Sequence, residues 1–120
     1  MYIEYNPNTC GIETGDCTVR AIAKLMNKDW DEIYVGLCVE GFKMCSMPST
    51  NSVWSQYLID NGYEMYAINP ITVEEFCITH PNGKYLLATG SHAVTIVDGN
   101  HYDLWNSAKE PIIYYFTKEV

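Results

Sequence analysis

The fold of this chain is organised around residues 15–26, which read GDCTVRAIAKLM. Cys17, Ala21 and Leu25 recur at four-residue steps, so one side of the segment is an apolar stripe. That spacing is typical of an amphipathic helix whose apolar face packs on a protein core. The stretch therefore predicts a helix that begins at Cys17 and ends near Asn27.

Cys17 falls in the first turn of this helix, because either Thr14 or Asp16 can be its N-cap. The unpaired N–H groups and the helix dipole favour a thiolate there, below the pKa of ~8.5 of a free thiol. A nearby Asp16 carboxylate would raise the pKa of Cys17 instead. By position alone a buried cysteine is more often a small apolar residue, so a catalytic interpretation needs a partner base.

Caps and apolar periodicity predict helices mainly in the first half of the chain. After the helix at Cys17, the predicted helices are residues 29–41, with Asp29 and Glu32 as a capping box and Gly41 as C-cap; a helix after Ser49 or Thr50, closed by Asn61-Gly62; and residues 72–79, with Thr72 and Glu75 as a capping box.

Alternating residues and turn signals predict strands mainly in the second half. Residues 2–14 are expected to form an ordered loop, and Pro70 to interrupt the first strand. The chain is therefore predicted to be one α+β domain over residues 1–120, with N-terminal helices packed on a C-terminal antiparallel sheet. The predicted strands are residues 63–68, 84–89, 92–97, 100–105 and 111–117.

Charge and hydropathy limit the partners of the chain. Its net charge is −8 with only seven Lys and Arg, which argues against binding to nucleic acid or to an anionic membrane. The acidity favours basic or neutral peptides, although such charge commonly serves solubility alone. The sequence has neither an apolar run of about 20 residues nor the regions of a signal peptide, so we expect a cytoplasmic protein.

The five cysteines predict reduced thiols. They form an odd set without C-x-x-C spacing, which argues against a disulfide framework and against a zinc site. We therefore expect neither a metal nor another cofactor. The cysteines are residues 10, 17, 38, 45 and 77.

A histidine and a carboxylate are predicted to meet on one face of a hairpin. Asp98-Gly99 is typical of a two-residue turn, which pairs Val97 with Asn100 and places His92 diagonally across from Asp103. A three-residue loop would instead pair His92 with Asn106 and turn Asp103 away.

Three aromatic or imidazole side chains near this hairpin have simpler interpretations. His80 and His101 are expected to be exposed bystanders. Trp105, like the other tryptophans, is expected in the core, although it could also shield the pair of His92 and Asp103 from water.

A cysteine at a helix start, a histidine on a strand and an acid on the next strand suit a thiol nucleophile. The imidazole withdraws the proton of the thiol, and the acid orients the imidazole. In this order of cysteine, histidine and acid, the chain resembles the papain-like cysteine peptidase superfamily. The resemblance is carried by Gly15-Asp16-Cys17, Ser91-His92-Ala93-Val94 and residues 102–106. The likeness is greatest to the small, minimal papain-like proteins of bacteria and bacteriophages.

The resemblance implies a papain-like fold and a thiol protease or other hydrolase in the cytosol of a bacterium or of a phage-infected host. It implies a catalytic triad of Cys17, His92 and Asp103, with Asn106 as the alternative orienter. By analogy the Cys17 backbone N–H is one oxyanion donor, and Asn8 or Asn6 supplies the side-chain donor. Papain has a glutamine six residues before its cysteine, and this chain lacks it, because the residue six before Cys17 is Gly11.

Two other functions are compatible with the sequence. The fold could serve a non-catalytic, phage-type binding or accessory protein with an inert Cys17. The same triad could also transfer an acyl group to an amine, as in transglutaminase-like or acetyltransferase relatives, rather than to water.

Overall fold

The computed structural model describes residues 1–118, which form an α+β fold. None of the helices in this range is long and apolar enough to cross a membrane. In chain order the elements are β1 (Tyr2–Glu4), α1 (Cys17–Met26), α2 (Trp30–Lys43), α3 (Asn51–Asp60), β2 (Glu64–Thr72), α4 (Val73–Thr79), β3 (Lys84–Ala88), β4 (Ala93–Val97), β5 (Asn100–Asp103) and β6 (Pro111–Thr117).

The strands form one mixed sheet in the order β1-β5-β4-β3-β6-β2. The strands from β5 to β2 pair antiparallel, as predicted. The prediction of a purely antiparallel sheet is wrong at one edge, where β1 runs parallel to β5 and Tyr2 lies opposite His101. Residues 2–14 were expected to be a loop, because a strand of three residues is too short to show alternation.

Helices cover both faces of the sheet. The helices α1, α2 and α3 share one core cluster with sheet residues such as Leu86 and Phe116. The short α4 covers the other face through Val73 and Phe76. The Thr95 hydroxyl on β4 donates a hydrogen bond of 2.6 Å to the Ala21 carbonyl, which ties α1 to the centre of the sheet. The predicted packing of helices on the sheet is confirmed, with α4 on the opposite face.

The end of α2 differs from the prediction. The helix continues to Lys43, past the expected C-cap Gly41. A Cβ atom on Gly41 would lie 2.8 Å from the Ser46 carbonyl oxygen, so glycine allows the following loop to approach the helix. The predicted capping box of Asp29 does not form, because the Asp29 side chain makes no cap hydrogen bond.

The strand β2 continues through Pro70, where an interruption was expected. Its pairing with β6 shifts register between Ala67 and Ile71, which accommodates the proline in an irregular segment. Because β2 is an edge strand, the N–H that proline lacks costs no ladder hydrogen bond to a further strand.

The helix caps yield a prediction about stability. The predicted capping box at Thr72 is confirmed, since the Thr72 hydroxyl accepts from the Glu75 N–H at 3.1 Å. Thr50, the N-cap of α3, makes no such hydrogen bond. We expect Thr72→Ala to lower the free energy of unfolding by about 1 kcal/mol in urea denaturation. Thr50→Ala is the matched control, and an equal loss in both variants would contradict the difference between the caps.

Candidate active site

Cys17 is the first residue of α1 and lines a cavity of about 200 Å³ together with His92. Hydrogen bonding from the His92 side chain and from the Ala93 backbone lowers the pKa of the Cys17 thiol. The pattern of residues 15–26 placed Cys17 at the helix start, and the tie between α1 and β4 brings it beside the first residues of β4. The same cavity is therefore lined by a thiol and an imidazole.

The turn before β4 fixes the backbone of His92. The Thr89 hydroxyl accepts the His92 N–H at 3.0 Å. The Asn51 side chain on α3 donates to the Gly90 carbonyl at 3.1 Å. Gly90 has a φ of +102°, a conformation that other residues rarely adopt. These contacts hold the imidazole at the end of the sheet.

The hairpin between β4 and β5 has the predicted two-residue register. Val97 pairs with Asn100, so the three-residue loop is wrong. The His92 Nε2 atom lies 2.7 Å from Asp103 Oδ2. Asn106 lies instead against His101, with 3.2 Å between its Oδ1 and His101 Nε2.

Asp103 is only 1% exposed, so its carboxylate is shielded from water. Besides His92, its Oδ2 accepts from the Ser107 hydroxyl at 2.8 Å. Its Oδ1 accepts from Arg20 Nη2 at 3.0 Å and from the Leu104 N–H at 2.8 Å. Burial opposes ionisation, but the hydrogen bonds from His92 and Ser107 and the charge of His92 leave the pKa of Asp103 below its usual value.

Arg20 on α1 connects Asp103 to a second buried carboxylate. Its Nη1 atom donates to Asp16 Oδ1, and Asp16 Oδ2 accepts from Trp30 Nε1 at 2.9 Å. Asp16 occupies the N-cap position but makes no side-chain cap hydrogen bond. Neither Arg20 nor Ser107 was predicted from the sequence. The four-residue spacing of Asp16 and Arg20 is a signal for their pair, whereas nothing local in the sequence indicates the contact with Asp103.

The two reactive groups shift each other's protonation. Burial opposes the imidazolium form of His92, but the hydrogen bonds and charges of Asp103 and Cys17 raise its pKa to about 9. Burial also opposes the thiolate, yet hydrogen bonds from His92 and Ala93, and the charges of His92 and Arg20, lower the pKa of Cys17. Both directions favour a thiolate and imidazolium pair. Because Nε2 of His92 is bonded to Asp103, Nδ1 is the nitrogen available to the thiol.

The two asparagines expected near the oxyanion differ in their surroundings. Asn8 lines a second cavity of about 480 Å³ that shares Gly15, Thr18 and Ser49 with the cavity of Cys17. Its Oδ1 accepts the Cys10 N–H at 2.9 Å. The NH₂ group at the other end of the amide therefore points away from Cys10.

Asn6 is a poorer candidate for the oxyanion. Its NH₂ group donates to the Ile12 carbonyl at 3.4 Å, and its Oδ1 accepts the Asn8 N–H. Both ends of the Asn6 amide are therefore engaged in the loop, whereas Asn8 uses only its Oδ1 there.

The other predictions near the hairpin are corrected in part. His101 is only 3% exposed, so the prediction that it is an exposed bystander is wrong. It is buried because β1, a strand that was not predicted, pairs with β5. His80 is half-buried and stacks on Phe76. Trp105 is 45% exposed rather than in the core, and its ring lies 4.9 Å from that of His92. Among residues 1–118, no three His, Cys, Asp or Glu side chains are grouped to hold a metal ion.

Comparison with protein-family models, with curated proteins and with solved structures finds no match to this chain. A function for the chain therefore has to be inferred from the geometry and electrostatics of its site.

The buried carboxylate yields a prediction about stability. We expect Asp103→Asn to lower the free energy of unfolding by about 3 kcal/mol, because the buried His92 imidazolium loses its counter-ion while Arg20 keeps its ion pair with Asp16. The matched control is Asn106→Ala, which removes a neutral hydrogen-bond acceptor and is expected to cost about 1 kcal/mol. Urea denaturation at pH 7 measures both. Similar small losses in the two variants would contradict the charged pairing of Asp103.

Proposed function

We propose that this protein is a thiol hydrolase, a peptidase or amidase of the papain-like kind, with Cys17 as nucleophile. One observation carries the proposal: the thiol at the start of α1 shares a cavity with the imidazole of His92, and Nε2 of that imidazole bonds to a buried carboxylate. That arrangement is the one in which a cysteine is activated by an adjacent base and the base is oriented by a third group.

In the first half of the reaction the Cys17 thiolate attacks the carbonyl carbon of an amide. A C–S bond forms and the carbonyl electron pair moves to oxygen. The Cys17 backbone N–H, an unpaired donor at a helix start, and the Asn8 NH₂ group are the proposed donors to this oxyanion. When the tetrahedral intermediate collapses, His92 gives its proton to the departing nitrogen, and a neutral amine leaves an acyl thioester on Cys17.

In the second half water replaces the amine. Neutral His92 takes a proton from water as the water oxygen attacks the thioester carbonyl. The C–S bond then breaks, which releases the carboxylic acid and restores the thiolate and imidazolium pair. Asp103 stays ionised throughout, because its hydrogen bonds from Arg20, Leu104 and Ser107 do not depend on the proton of His92.

The papain-like likeness and the substrate class belong to this proposal. The order Cys17, His92, Asp103 and the helix that carries the nucleophile against a sheet support the likeness. The net charge of −8 favours a basic or neutral peptide or protein as substrate. The five unpaired cysteines suit a reducing compartment such as the cytosol.

The test uses para-nitrophenyl acetate, an activated ester that acylates thiolates. We expect an acetyl group on Cys17 by tandem mass spectrometry, followed by its slow loss to water. Cys17→Ala should abolish the nitrophenol burst, and His92→Ala should slow it by about 10²-fold or more.

The matched control is Cys38→Ala, which removes another half-buried thiol and should keep the burst. Circular dichroism verifies that each variant is folded. A burst that survives in Cys17→Ala, or that is lost equally in Cys38→Ala, would exclude the proposed nucleophile.

A further inference from the structure

We propose that Arg20 is a positioning residue, which aims the Asp103 carboxylate at His92 and, through its buried charge, keeps Cys17 in its nucleophilic form. This inference rests on the proposed function, because it concerns the same pair of reactive groups. Arg20 touches neither the reacting sulfur nor the cavity that contains it, so its action runs through Asp103 and through space.

The geometry of the guanidinium supports the positioning of Asp103. The guanidinium is a planar, rigid fork, and its two terminal nitrogens bond to two different carboxylates, Asp16 and Asp103. The carboxylate of Asp16 is itself held by Trp30 on α2. The fork therefore has little freedom to turn. Because Arg20 and the Leu104 N–H occupy Oδ1 of Asp103, the carboxylate presents Oδ2 to His92 and Ser107.

The buried charges around Arg20 support its effect on Cys17. Asp16, Arg20 and Asp103 are each at least nine-tenths buried, and charges this deep are costly unless they are balanced. Two carboxylates face one guanidinium, so the group carries an excess negative charge that the His92 imidazolium neutralises. Without Arg20, a thiolate at Cys17 would lie near two carboxylates whose charge no guanidinium balances. The protonated thiol would then be favoured. The charge of Arg20 also lowers the pKa of Cys17 in the intact site, after the larger contributions of burial, of hydrogen bonding and of the charge of His92.

Two variants separate the effect of the guanidinium's geometry from the effect of its charge. Arg20→Lys keeps the buried charge but replaces the fork by a single point of contact. Arg20→Gln removes the charge but keeps a side-chain donor. A purely structural ion pair would lower the melting temperature in both variants and change nothing at Cys17 or His92 in the molecules that remain folded.

The experiment measures the rate of Cys17 alkylation by iodoacetamide from pH 5 to pH 10, together with the proton spectrum of the His92 ring. Tandem mass spectrometry separates Cys17 from Cys10, which lies on the same tryptic peptide. Circular dichroism gives the folded fraction at each pH, and rates are compared for the folded fraction.

Thr72→Ala is the structural control, since it removes the capping hydrogen bond of α4, outside the network of Arg20, without changing a charge. It should lower the melting temperature and leave the alkylation profile as in the wild type.

We expect Arg20→Gln to alkylate at least about tenfold more slowly than the wild type at pH 6, because its thiol is protonated there. We expect Arg20→Lys to stay within about threefold of the wild-type rate, since the charge is kept. In Arg20→Lys the low-field proton signal of the hydrogen bond between His92 and Asp103 should weaken or move upfield.

The outcomes distinguish this inference from the proposed function. A wild-type Cys17 that reacts like an ordinary thiol, with its rate falling below pH ~8.5, overturns the proposed function itself. A reactive wild-type Cys17 whose alkylation rate and low-field signal are unchanged in folded Arg20→Lys and Arg20→Gln overturns the role of Arg20 alone. Arg20→Lys keeps the buried charge, so an unchanged low-field signal in that variant is sufficient to reject the positioning of Asp103.

Discussion

The buried carboxylate of Asp103 is the constraint on which the rest of the structure depends. An ion so far from water costs several kcal/mol unless it is fully paired and hydrogen-bonded. Its donors come from separate parts of the chain: Arg20 on α1, His92 before β4, and Leu104 and Ser107 after β5. Satisfying this one group therefore fixes α1, which carries Cys17, against the end of the sheet.

The same constraint accounts for the chemistry of the site. The Asp103 carboxylate, held ionised by His92 and by hydrogen bonds from Ser107 and the Leu104 N–H, provides a negative charge for the imidazolium. The imidazolium in turn stabilises a thiolate at the first residue of α1, where the helix dipole adds to the effect. The stability of the fold and the protonation of Cys17 and His92 thus depend on one hydrogen-bonded network.

The elements that could be predicted from the sequence are those with local signals. The four-residue period after Cys17 located α1, and Asp98-Gly99 located the hairpin turn that brings His92 to Asp103. The contact between Arg20 and Asp103 joins residues 83 positions apart, and no periodic pattern in the sequence indicates such a contact. The same holds for β1, whose pairing with β5 spans almost the whole chain and buries His101. The sequence also could not show the partners of the Asp16 carboxylate, which alone would oppose a thiolate at Cys17. In the structure Arg20 and Trp30 bind this carboxylate. Its effect on Cys17 therefore depends on its burial and on these partners.

The protonation state of His92 in the folded protein is the most direct test of the thiolate and imidazolium pair. Nitrogen-15 chemical shifts of the three imidazoles, assigned with His80→Gln and His101→Gln, can be followed from pH 5 to pH 10. We expect His92 to stay doubly protonated at neutral pH and to titrate with a pKa of about 9. Burial lowers the pKa of His101, so His101 should titrate below the usual value and serve as an internal reference. A His92 that titrates near the ordinary value of about 6.5 would contradict the pair.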